Sequence, residues 1–182
     1  MKHTKKREKI NNQGLTLIEL IVTIAIIGIF GVVVMSFVTS GANFYRQASD
    51  TSTVQRSMQM TLDQIENLVI DTNKSISYSV GGQATQSDLG SQDSQEKILI
   101  LESVQGENTQ HKEILKWNPD EKKLYCNYNS DRATDMKVMA ENISAFSADI
   151  SQAVSDGIVR FQITIQKRDK EMTQTYTVTL RN

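Results

Sequence analysis

Glu19 stands alone at the head of a run that carries no further charge until Arg46. An ionised carboxylate near a bilayer centre costs about 2.5–3.5 kcal/mol, less toward the interface, so an acid beside a membrane-like run is a functional candidate. Few other residues could do chemistry. The histidines are His3 and His111, and the one cysteine is Cys126. That leaves no intramolecular disulfide or Cys-based metal site from this chain, and it argues against a His-ligated metal or a Ser-His-Asp arrangement. His111 falls in the polar stretch 107–112 and reads as a solvated loop histidine, and Cys126 as a small, partly buried strand residue. Gly81-Gly82 lacks the spacing of a phosphate-binding loop. The pairs Asp120/Glu121 and Asp169/Glu171 lie among turn residues and read as solvated, not as an acid/base dyad. The stretch Asn127–Asp135, with Asn129, Asp131 and Asp135, could attract calcium, but its spacing fits no EF-hand loop. The expectation is therefore no enzyme, no cofactor and no bound metal.

The elements around Glu19 give it a setting. From Leu20 to Val38 nearly every residue is Ile, Val, Leu, Ala, Gly, Phe or Met. As a helix these 19 residues would extend about 28 Å, close to the thickness of a hydrocarbon core. Before the run, Lys2, Lys5, Lys6, Arg7 and Lys9 against Glu8 give a leader of +4; subtracting this from the chain's −1 leaves −5 for the rest. Basic residues flanking an apolar span stay cytoplasmic, so the C-terminal part is expected outside. Its mild acidity offers no electrostatic case for sequence-independent DNA binding.

The stretch Gly14-Leu15-Thr16-Leu17-Ile18-Glu19, with its apolar tail, resembles the class III signal of type IV pilins and pseudopilins. The resemblance implies cleavage after Gly14 by a prepilin peptidase, N-methylation of Leu15 as the new terminus, and a role for Glu19 in subunit addition to a filament. Leu15 stands where the family usually has Phe, and Ser36 where many members have proline. On this reading 1–14 is a cleaved basic leader, 15–45 a hydrophobic transmembrane and assembly helix, 46–70 its amphipathic continuation, and 71–182 an exported β-rich domain. The rival is an ordinary signal sequence cut at Ser40-Gly41-Ala42, which would release or anchor a ligand-binding domain beginning at Asn43. Against it, the apolar run exceeds the usual 7–15 residues of such signals, and an acid at its edge is foreign to them.

Beyond the span, Val54, Met58, Leu62, Ile65 and Val69 recur at helical spacing, a packing stripe. Gly41 and the Ser/Thr-rich stretch 49–53 are weak points, since Gly costs about 1 kcal/mol relative to Ala inside a helix. Ile76–Val80 reads as a short strand, and Gly81–Gln95 as a loop and a mobile, tolerated insertion. Lys97–Leu101 reads as a strand ended by a turn at 106–108. Glu113–Trp117 and Lys123–Tyr128 flank Asn118-Pro119-Asp120 as a hairpin. Residues 135–150 fit a helical face or an irregular strand equally. Val159, Phe161, Ile163 and Ile165 alternate with polar residues, as do Tyr176, Val178 and Leu180, which marks an antiparallel sheet with one wet face.

The expected fold class is α+β: a long N-terminal helix, membrane-spanning in its first half, packed on a C-terminal antiparallel sheet. The expected function is that of a structural subunit, in the minor class, of a type IV pilus or pseudopilus serving secretion, DNA uptake or adhesion. Its partners would be the prepilin peptidase, other pilin-like subunits and the cytoplasmic membrane, with DNA or a secreted substrate met only indirectly. Its location would be the cytoplasmic membrane in a single pass, then a filament at the cell surface.

Overall fold

A computed structural model describes residues 16–91, 94–105, 109–127 and 136–181. The basic leader, the 106–108 turn and the candidate calcium residues Asn129, Asp131 and Asp135 lie outside them.

Among the described residues, one helix is followed by nine strands. Helix α1 spans Leu17–Val69. Within it, hydroxyls bond back to carbonyls one turn earlier, so they leave no polar group unpaired: Thr53 Oγ1 donates to Ser49 O and Thr61 Oγ1 to Ser57 O, both at 2.8 Å. This satisfies Thr61, the one polar side chain buried on the packing stripe. The weak points at Gly41 and 49–53 therefore do not interrupt the helix.

The segment 16–47 and the unit 48–182 form separate compact bodies. Within the second, the strands are β1 (Ser75–Val80), β2 (Gln83–Thr85), β3 (Lys97–Gln105), β4 (Thr109–Asn118), β5 (Lys123–Asn127), β6 (Lys137–Glu141), β7 (Ile143–Asp149), β8 (Ile158–Lys167) and β9 (Lys170–Thr179). They form two antiparallel sheets, ordered β2-β1-β3-β4-β5-β6 and β7-β8-β9. The division falls at Asn142, whose φ of 64° turns the chain between β6 and β7; asparagine tolerates that left-handed conformation better than most residues. Val54, Met58, Leu62, Ile65, Leu68 and Val69 of α1 share one core with Leu99, Leu115, Phe146, Phe161 and Ile163 of the sheets. The fold is α+β, an apolar N-terminal helix packed on antiparallel sheets through its C-terminal half.

The β4–β5 hairpin is set by Asn118, whose Oδ1 accepts from the backbone N–H of Asp120 at 3.0 Å and Glu121 at 3.3 Å, an Asx turn with Pro119 following. Arg168, at φ 52°, makes the tight turn between β8 and β9, where Lys167 pairs with Lys170.

Two expectations change and one open choice is decided. Strands β3 and β4 pair as far as Gln105 with Thr109, so His111 lies in a strand opposite Ser103 rather than in a loop. Of the two readings of 135–150, strand holds: Lys137–Glu141 and Ile143–Asp149 are two strands. Residues 81–91 of the expected mobile insertion are anchored. Part of it is β2, and beyond β2 Ile150 N donates to Gln86 O at 2.7 Å and Asp88 N to Ala148 O at 3.1 Å. Cys126 is buried in β5 beside Leu115 of β4.

Candidate assembly site

The described chain opens on a reciprocal cap. Thr16 precedes the first helical residue and Glu19 closes the first turn. Glu19 Oε2 accepts from the Thr16 backbone N–H at 2.9 Å and from Thr16 Oγ1 at 3.0 Å, while Glu19 N–H donates to Thr16 Oγ1 at 3.3 Å. This is a capping box, in which a hydroxyl and a carboxylate three residues apart satisfy donors that the first turn leaves orphaned. A negative charge here also meets the positive end of the helix dipole. Among the described residues Glu19 Oε1 has no partner, so one carboxylate oxygen remains open to another donor.

Beyond the cap, residues 16–47 are exposed without a break. Leu17, Ile27, Phe30 and Val32 are each about 70% exposed or more. Large apolar side chains all round a helix imply a surround of lipid or of other helices, and α1 is long and apolar enough to cross a membrane. At Gly28 and Gly31 an added Cβ would meet open space, so these glycines pack against nothing in this chain.

Glu19 is thus placed at the helix start. Gly14 and Leu15, the other two candidate residues, lie outside the described residues. Thr16 is the residue that reading the charges alone passes over. Its signal was available in the Thr-x-x-Glu spacing ahead of an apolar run.

In a comparison with family models, residues 9–39 match the prokaryotic N-terminal methylation motif. The segment is similar to a class III signal. Neither curated proteins nor solved structures gave a match. The methylation motif ends at residue 39, so strands β1–β9 lie beyond it. It supports a processed, type IV pilin-like subunit whose apolar helix anchors it in a membrane.

Among the described residues no three His, Cys, Asp or Glu side chains gather where a metal could be held. Glu113, half-buried on β4, has its pKa raised above the ordinary carboxylate value, first by burial, with His111 opposing the rise and Asp71 adding a smaller upward effect. Asp149 is lowered, chiefly by its hydrogen bond from Ser151 and with help from Arg160. Both are strand groups engaged with neighbours, not a reactive pair.

Proposed function

We propose that this chain is a minor structural subunit of a type IV pilus or pseudopilus. A prepilin peptidase cuts after Gly14, Leu15 becomes the N-methylated terminus, and the apolar helix holds the product in the cytoplasmic membrane with residues 71–182 outside. The role is structural, not catalytic. The observation that carries this reading is the Thr16–Glu19 cap at the head of a helix exposed throughout its apolar length, inside a methylation motif.

Assembly then exchanges lipid for neighbouring helices around residues 17–38. Glu19 would otherwise be a lone acid at the edge of an apolar medium, and its open Oε1 suits the ammonium of a neighbour's N-terminus. Methylation keeps that amine charged, so the pair survives processing. Helix α1 also runs unbroken through Ser40–Ala42, which supports retention of the apolar segment over cleavage before Asn43.

Minor status rests on the bulk of the exported unit, with two sheets and an anchored segment at 81–91. Such a domain fits a tip or initiation complex better than a closely repeated shaft position. Its partners are other pilin-like subunits, and the filament serves secretion, DNA uptake or adhesion, with DNA or secreted cargo met through the filament. Quantitative mass spectrometry of sheared filaments tests the assignment. The chain is expected at a small fraction of the main subunit, and finding it most abundant would overturn minor status; finding it only in membranes would overturn the filament role.

A further inference from the structure

The filament role makes no use of an enclosed polar cluster among the described residues of the exported unit. Lys97 opens β3 opposite Trp117 of β4, and its side chain is 1% exposed. Asp88 follows β2, and its side chain is 8% exposed. The Lys97 ammonium touches Asp88 Oδ2 and lies 5.5 Å from the centre of the Trp117 ring. Among the described residues Oδ2 meets no other donor. Oδ1 accepts twice, from Tyr78 Oη at 2.8 Å and from the Ala148 backbone N–H at 3.0 Å.

An ion pair taken this far out of water is a weak source of stability, because desolvating both charges offsets most of their attraction. Its geometry has another use. One carboxylate oxygen faces an amine, while the other faces two fixed donors, the arrangement that stabilises a tetrahedral oxyanion in acyl transfer. Holding amine and acyl carbon together in a closed site also removes the entropic cost of bringing them together.

We infer that Lys97 and Asp88 condense into an intramolecular isopeptide bond. A proton passes from Nζ to Oδ2, leaving an amine beside a carboxylic acid. The amine lone pair attacks Cγ, and the charge that develops on Oδ1 is held by Tyr78 Oη and the Ala148 N–H. Collapse breaks the Cγ–Oδ2 bond. Oδ2 takes a second proton from nitrogen and leaves as water, while the third proton stays on the new amide. One positive and one negative charge disappear together, so net charge is unchanged and no external reagent is consumed. Tyr78 remains a donor throughout, since burial and the neighbouring Asp88 raise its pKa far above the ordinary phenol value. The product ties the segment after β2 covalently to β3 and removes two buried charges from the core.

The inference stands apart from the filament role, and its test needs no filament. The full chain is purified in detergent, denatured, and weighed against the sequence from its determined N-terminus, with any N-methyl group there counted. The wild type is expected lighter by one water. Trypsin should fail to cut after Lys97 and should yield a branched peptide joining Asp88 to Lys97. Lys97→Arg, which keeps the charge, and Asp88→Ala should both show the full sequence mass. Tyr78→Phe should retain a substantial unlinked fraction at times when the wild type is fully linked. A wild-type chain at full mass that is cut normally after Lys97 overturns the inference, as does a water loss that persists in Lys97→Arg.

Discussion

Trp117 Nε1 donates to the Ile143 carbonyl at 3.1 Å, across the boundary between the two sheets. Trp117 belongs to β4 of the larger sheet and Ile143 opens β7 of the smaller one, just past the turn at Asn142. Both side chains are buried. The bond therefore satisfies a carbonyl that neither sheet's ladder reaches, at the place where one sheet gives way to the next.

Trp117→Phe keeps an aromatic ring there but leaves the Ile143 carbonyl unpaired in the core. An orphaned buried acceptor costs about 1–3 kcal/mol, so the variant is expected to unfold about 2 kcal/mol more easily. Urea denaturation followed by circular dichroism measures this; a loss under about 0.5 kcal/mol would show that the sheets do not depend on this bond.

The stripe on α1 predicts a contrast between neighbours. Ile65 is fully buried, whereas Met60, five residues earlier, is 51% exposed. Ile65→Ala should cost about 3 kcal/mol through lost transfer energy and the cavity left behind. Met60→Ala should stay within about 0.5 kcal/mol. Trp117 is the chain's one tryptophan, so its fluorescence during denaturation reports both variants from a single core position. Equal costs would contradict the packing described here.

Glu113 predicts a pH dependence. Its raised pKa means that the folded chain holds this proton more tightly than the unfolded chain does. Stability from this group is therefore present below the ordinary carboxylate value and lost as pH rises through the raised one. Glu113→Gln should be more stable than wild type at about pH 7 and lose that advantage at about pH 4, with a difference of no more than about 1 kcal/mol because the group is half open to solvent. Denaturation midpoints at the two pH values check the sign, and an advantage confined to acid would reverse it.

The regular elements were legible because their periodicities are strong. The stripe Val54–Val69 and the alternation from Val159 to Leu180 are each repeated several times over, so burial on one face follows from spacing alone. The motif at 14–19 was legible for a different reason: it is a local string that needs no fold to be read. Residues 137–149 were ambiguous because Ile143, Phe146 and Ile150 fit two periods in a short window, and strand pairing with β5 and β8 decides between them. The Gly81–Gln95 segment misled most. Its composition is that of a loop, and the residue that pins it, Asp88, gains its meaning from Lys97 and Ala148, which no local pattern connects to it. Thr16 was readable as a cap from spacing, yet whether its bond to Glu19 is made depends on backbone geometry.

Glu19 caps its own helix, and the proposed function gives it a second, separable role, offering charge to a neighbour. Glu19→Gln separates them, because glutamine fills the same place in a capping box but is neutral. If charge governs assembly, Glu19→Gln should enter sheared filaments as poorly as Glu19→Val, while both remain processed and membrane-held. Recovery of wild-type incorporation by Glu19→Gln alone would show that the cap, not the charge, is what assembly requires.

The central claim is that the methylation motif is used as a processing signal that leaves the apolar helix on the mature chain. Intact-mass measurement with N-terminal sequencing, on chain isolated from cells that express the prepilin peptidase, tests it most directly. A mature terminus at N-methyl-Leu15 with the helix retained is expected. A terminus at Asn43, or an uncut chain still beginning at Met1, would contradict it.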